Sequence, residues 1–224
     1  MKEAILYSPL SDGKVQCSLC NHRCIISHSK RGLCGVRENR DGKLYTLVYG
    51  RAISLNVDPI EKKPIFHLFP GSTSFSMAAV GCNFQCLQCQ NHDISQMPKG
   101  QDGRIEGSEV SPSKIISLTK QSRCRSISYT YTEPTIYFEY AYDTARQGSQ
   151  EGIKNIFVTN GYMTEEALGM IQPYLDAANV DLKSYNEKFY KEICGAKLKP
   201  QNQTNFCVTC QSLVELIEKR IDLF

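Results

Sequence analysis

Strand-like and helix-like segments alternate after residue 71, and this predicts an α/β fold with a parallel sheet or barrel and right-handed crossovers. A second observation agrees with it. Residues of chemical interest fall at the carboxyl ends of successive strand candidates, where such folds gather function. A third sets the first 70 residues apart: they are cysteine-rich and poor in periodicity. The expected organisation is a small Cys-rich N-terminal subdomain with short strands (1–70), an α/β unit (71–200) and a divergent tail (201–224). A short amphipathic helix is expected in that tail around Leu213, Leu216 and Ile217.

Taken in order, residues 44–49 and 52–57 read as short strands flanking Gly50-Arg51. Residues 58–70 carry three prolines and read as a loop crossing to the main unit. Residues 75–80 form a buried strand candidate ending at Gly81. Residues 110–121 read as a helix, with Ser111 as N-cap, Pro112 in the first turn and an apolar face of Ile115, Ile116 and Leu118. Residues 126–131 alternate like a strand, and 134–146 place Ile136, Tyr137, Tyr140 and Ala141 at helical spacing. Residues 155–160 are the third strand, closed by Gly161. Thr164 caps a helix over 165–175, and 179–183 are a fourth, short strand that puts Asp181 and Lys183 on one face.

Composition excludes several classes. The formal charge of +3 is small, and the basic residues are scattered. Lys62-Lys63 and Lys30-Arg31 are short pairs that read as solvated surface, so nucleic acid is not an expected partner. The N-terminus lacks the apolar core of a signal peptide and no apolar run reaches membrane-spanning length, so a cytoplasmic chain without membrane partners is expected. Thiols stay reduced there. Of 11 cysteines, seven sit in two tight groups, which points to metal or cluster ligation rather than disulfides.

The tighter group is Gly81-Cys82-Asn83-Phe84-Gln85-Cys86-Leu87-Gln88-Cys89, a C-x3-C-x2-C spacing. Four-iron clusters are normally held by four thiolates. A triplet on one loop fills three iron sites and leaves the fourth open, as catalytic metals keep a vacant position. Zinc on three thiolates plus His92 uses the same residues.

With this spacing just after a strand, the sequence resembles the radical S-adenosylmethionine superfamily, over about residues 15–200. It is most similar to pyruvate formate-lyase-type activating enzymes and, among them, to the radical enzyme of the AmmeMemoRadiSam system. The N-terminal cysteines, Tyr129-Thr130-Tyr131-Thr132-Glu133-Pro134 and Thr159-Asn160-Gly161-Tyr162 carry that likeness. The resemblance implies a partial (β/α) barrel and a [4Fe-4S] cluster on Cys82, Cys86 and Cys89. It implies S-adenosylmethionine chelated at the open iron and cleaved by one electron to a 5′-deoxyadenosyl radical. A reductant such as flavodoxin or ferredoxin is implied too, and so is hydrogen abstraction from an unidentified substrate, a protein in activating enzymes. Glu133 matches the segment that holds the methionine amino group; read without the family, it is also helix-start chemistry. Thr159, Asn160, Asp181 and Lys183 match other cofactor-side positions. Gln88 departs from the family's usual aromatic residue, and Val158 from a frequent aspartate. About four βα units are legible where the family has six, so the barrel is expected to be shortened at its C-terminus.

Cys17, Cys20, Cys24 and Cys34 offer four thiolates in a loop-rich segment, suited equally to structural zinc or to a second iron–sulfur cluster, with His22 and His28 as possible replacements. A zinc-stabilised binding or adaptor module, and a shortened cluster-binding relative without activity, are the competing functions. Cys124 and Cys194 read as packing thiols, and Cys207-x2-Cys210 as a weak ligand pair.

Overall fold

The computed structural model describes residues 1–198. The expected tail, with Cys207, Cys210 and its helix, lies outside the described residues. The centre is an open five-stranded sheet of β1 (Ser54–Pro59), β2 (Thr73–Ala78), β3 (Ser126–Tyr129), β4 (Lys154–Thr159) and β5 (Ala177–Val180). The spatial order β5-β4-β3-β2-β1 is sequential. β2 to β5 run parallel, with Tyr129 opposite Met77 and Phe157 and Thr159 opposite Val180. The α/β expectation therefore holds. β1, N-terminal to the Pro70-Gly71 division, pairs antiparallel with β2.

Three helices make the crossovers: α1 (Pro112–Gln121), α2 (Phe138–Gln150) and α3 (Glu165–Ile171). Local chemistry starts each one. Ser111 accepts from Lys114 N at 3.2 Å, and Thr164 accepts from Ala167 N at 3.3 Å. Pro134–Tyr137 is a 3-10 turn that feeds α2, so the helix expected from residue 134 begins regular α geometry at Phe138. α3 likewise ends four residues before the expected limit, in a 3-10 turn, Gln172–Tyr174, that carries Pro173.

Cross-strand register sorts the side chains by face. Phe75, Met77, Ile127, Tyr129 and Phe157 pack beneath the helices in the main core. Ser74, Ser76 and Ser128 are buried on the opposite face, where Ser74 Oγ and Ser128 Oγ are 2.6 Å apart. Ile60 and Ile65 cover that face against Ile156. Both faces are thus buried, as parallel sheets require.

The N-terminal region forms two small antiparallel sheets, Tyr7–Pro9 with Val15–Cys17 and Ile25–Ile26, and Lys2–Glu3 with Lys43–Thr46 and Arg37–Arg40. It is bonded to the α/β unit. Asn21 Nδ2 donates to Met163 O at 3.1 Å, Thr164 Oγ1 to Ser18 O at 2.7 Å, and His22 Nε2 to Asn83 O at 2.9 Å. Deeper in, the Arg37 guanidinium is ion-paired with Glu139, and both side chains are almost completely buried. No helix among the described residues is long and apolar enough to cross a membrane.

Candidate functional site

The carboxyl ends of β2 to β5 open into a cavity of about 720 Å³. Its lining includes Cys82, Cys86 and Cys89 from the loop after β2, Glu133 after β3, Thr159 and Asn160 at the end of β4, and Asp181 and Lys183 after β5. Eight residues picked out from the sequence are thereby brought to one space. Cys17, Cys20, Cys24 and Cys34 do not line it.

The triplet loop leaves β2 through Gly81, whose φ of +106° is a glycine conformation. A Cβ there would stand 2.8 Å from Val36 Cγ1 and 3.2 Å from Cys34 O, so the N-terminal region lies directly beneath. Phe84 N donates to Cys82 Sγ at 3.4 Å, and Cys89 Sγ is 3.4 Å from Ser95 Oγ. Burial pushes the Cys82 thiol up to about 12, with Glu133 adding to the shift. Lys99 donates to Phe84 O at 2.8 Å and lies within charge–charge reach of Cys82, Cys86, Cys89 and Cys34.

Glu133 is the most heavily bonded polar group of the cavity. Oε1 accepts from Thr135 N (3.1 Å), Thr135 Oγ1 (2.5 Å) and Thr159 Oγ1 (2.6 Å), whereas Oε2 accepts from Asn160 N alone among these (2.7 Å). Burial nevertheless leaves its pKa above the ordinary carboxylate value, the hydrogen bonds pulling against that rise. The two readings of Glu133 are compatible in space, since it caps the turn into α2 while lining the cavity. Asn160 Nδ2 reaches Asn83 Oδ1 at 2.7 Å, which ties β4 to the triplet loop.

β5 ends at Val180, so Asp181 and Lys183 lie in the following loop rather than on the strand. They still share a side: Lys183 Nζ donates to Asp181 Oδ2 at 2.8 Å. Burial, the largest single influence, lowers the Lys183 pKa, but the bond to and charge of Asp181, together with the nearby Cys86 and Glu133, outweigh it and the net shift is upward.

Sequence reasoning missed the opposite wall. Lys62 and Lys63 line the cavity with Tyr131; Lys62 is exposed as expected, but Lys63 is only 1% exposed, which corrects the reading of that residue as solvated surface. Asp58 on β1 accepts from Lys62 Nζ (2.8 Å), Lys63 Nζ (2.7 Å), Ser76 Oγ (2.7 Å) and Tyr131 Oη. Tyr131 sits at φ +63°, which is why β3 stops at Tyr129 rather than at residue 131. Only the proximity of Asp58 to the lysine pair in the sequence pointed this way.

Burial alone would raise the Asp58 pKa, but its bonds to Lys62, Lys63, Tyr131 and Ser76 hold it well below the carboxylate range. A depressed carboxylate adds stability above its unfolded pKa of about 4 and loses it as pH falls towards the folded value. Urea unfolding is therefore expected to show about 2 kcal/mol of acid-labile stability below about pH 4 that Asp58→Asn lacks. An unchanged acid slope in that variant would contradict this.

The N-terminal thiols form a second cluster of side chains. Every pair among Cys17, Cys20, Cys24 and Cys34 is close enough to interact electrostatically. Burial raises each of their pKa values, and backbone N–H groups of Leu19, His22, Leu33 and Val36 act against the rise at Cys17, Cys20, Cys24 and Cys34 respectively. Arg37 interacts with Cys17 and Cys34, and its buried Nε and Nη1 have no hydrogen-bond partner among the described residues. His22 is turned to the triplet loop, and His28 is exposed beside Asp41. Among the described residues no three His, Cys, Asp or Glu side chains converge as a single bound ion would require.

A cysteine triplet and a buried carboxylate thus line one cavity at the strand ends of an α/β protein. The Radical SAM superfamily model matches residues 78–212, more than half of the chain, and the chain belongs to that superfamily. Its members are generally enzymes that use a [4Fe-4S] cluster, S-adenosylmethionine and a reductant. Uncharacterized protein MJ0808 of Methanocaldococcus jannaschii is 45% identical over 204 residues, covering 91% of this chain and 60% of that protein. Uncharacterized protein MJ0674 of the same organism is 24% identical over 185 residues, covering 81% of this chain and 48% of that protein. The chain therefore spans 60% and 48% of the lengths of these two relatives.

Proposed function

We propose that this chain is an activating-enzyme-like radical enzyme, of the kind found in the AmmeMemoRadiSam system. Cys82, Cys86 and Cys89 would hold its [4Fe-4S] cluster. The observation that carries this reading is the meeting of the triplet with Glu133, Thr159, Asn160, Asp181 and Lys183 around one cavity. The donor set fits the group. Three thiolates from one loop would leave one iron of such a cluster without a protein ligand. When bound and reduced, the cluster supplies the electron that breaks a carbon–sulfur bond of S-adenosylmethionine, giving methionine and a 5′-deoxyadenosyl radical.

The protein's share is binding, orientation and exclusion of water. Glu133 Oε2 has acceptor capacity left for an ammonium group. Lys183, charged and paired with Asp181, offers donors to a carboxylate. Thr159 and Asn160 fix Glu133 and, through Asn83, the triplet loop. The substrate is then an unidentified molecule, a protein segment in activating enzymes, with a flavodoxin- or ferredoxin-type reductant as second partner.

Anaerobic reconstitution with iron and sulfide, followed by dithionite and S-adenosylmethionine, is expected to yield 5′-deoxyadenosine. Cys86→Ser is expected to bring the yield to that of a protein-free control. Equal yields from the two proteins would overturn the reading.

The N-terminal thiols are read as a second centre, zinc or iron–sulfur. Four mutually close sulfurs with N–H donors, beside an Arg37 that has two unpartnered nitrogens, suit an anionic metal–thiolate group. Metal analysis of a Cys82→Ala/Cys86→Ala/Cys89→Ala variant should find one bound centre per chain, brown if it is iron–sulfur and colourless if zinc. A folded variant free of both metals would exclude it.

A further inference from the structure

The chain that follows β5 returns to the triplet loop. Gln85 N donates to Cys194 O at 2.8 Å and Leu87 N to Ile193 O at 3.0 Å, so the two residues on either side of Cys86 are bonded to the last carbonyls of the turn that carries Cys194. Gly195, at φ +65°, ends the helical turn Tyr190–Cys194; a Cβ there would stand 3.4 Å from Gln85 Cβ. The Cys194 side chain is fully buried and belongs to one apolar cluster with Phe84, Tyr162 and Tyr190, against which Cys82 and Cys86 pack. Its thiol lies within hydrogen-bonding reach of Cys86. Cys86, unlike it, is partly exposed and lines the cavity. Packing alone accounts for one buried thiol, but not for its place beside a ligand position of the triplet.

We propose that Cys86 and Cys194 form a reversible disulfide in the cluster-free chain, a lock that withdraws Cys86 from iron until it is reduced. The linkage stands on the geometry above; its consequence for iron rests on reading Cys86 as a cluster ligand. The oxidant is a low-molecular-weight disulfide, acting by thiol–disulfide exchange. The Cys86 thiolate attacks one sulfur of the oxidant, whose S–S bond breaks and releases one thiolate. The Cys194 sulfur then displaces the second, and its proton leaves with that thiol. Two protein thiols thus lose two electrons and two protons, and one small disulfide becomes two thiols.

The full-length cluster-free chain, treated anaerobically with oxidised glutathione, alkylated and digested, should yield a Cys86–Cys194-linked peptide as its main disulfide. In Cys194→Ser, Cys86 should instead carry glutathione. The oxidised wild type should lose iron uptake when offered iron and sulfide without added thiol, and dithiothreitol should restore it. Linkage of Cys86 to Cys82 or Cys89, a Cys86 that stays open to alkylation, or full iron uptake by the linked protein would each overturn the lock. The peptide map needs neither a variant that folds nor deoxyadenosine formation. A failed lock therefore leaves the radical reading standing, and a linked peptide without radical chemistry removes only that reading.

Discussion

Glu133→Ala is expected to weaken S-adenosylmethionine binding about 10- to 100-fold without loss of cluster iron. A hydrogen bond to a charged group contributes about 1.5–3 kcal/mol, and each 1.4 kcal/mol is about tenfold in affinity. Oε1 is filled by Thr135 and Thr159, so the effect on the cofactor runs through Oε2, which among the described residues takes only Asn160 N. Alanine also strands four buried donors, which lowers stability. Glu133→Gln separates the two effects: it keeps one oxygen for the threonine side and turns an NH2 donor towards Asn160 N and an incoming ammonium. Titrating S-adenosylmethionine against the reduced cluster's paramagnetic signal reads the binding. A wild-type titration in Glu133→Gln would show that this carboxylate serves the start of α2 alone.

Glu139→Ala carries the largest expected cost in stability, about 3–5 kcal/mol, because it leaves the Arg37 guanidinium buried without its counter-ion. It also frees Ile5 N, which donates to Glu139 Oε1 at 3.0 Å. Against a typical total of about 5–15 kcal/mol the loss is severe, and it would appear as a lower urea midpoint with unchanged slope. Removing both charges, as Arg37→Met/Glu139→Leu, is expected to recover much of it. A double variant no more stable than Glu139→Ala would show that lost packing, and not the stranded charge, sets the cost.

These residues differ in how legible they are from sequence. Each parallel strand announces itself through a short apolar or alternating run, and a residue just past such a run has only one place to go. Cys82, Glu133 and Asn160 could be placed for that reason, and Asp181 and Lys183 to within a strand end. Nothing local says that β1 crosses the Pro70-Gly71 division to pair with β2, since antiparallel pairing across a 13-residue connection depends on the partner's edge. Lys63 was illegible for the same reason: its burial follows from Asp58 riding on that strand. Tyr131 looked like a strand residue because alternation does not reveal a positive φ. Cys194, a lone cysteine, has no spacing to interpret, and only the fold puts it beside Cys86.

The sequential strand order has a consequence for how the chain assembles. Each parallel strand finds its neighbour among the residues just before it, so the sheet can grow by short closures, which are fast. The bonds from Ser18 and Asn21 to residues 162–164 span more than 140 positions, and His22 spans 61 to reach Asn83. The first two wait for the residues after β4, whereas the His22 bond needs only the triplet loop. The N-terminal segment can therefore meet the loop carrying Cys82, Cys86 and Cys89 through short closures, and completes its docking only when the sheet is built through β4.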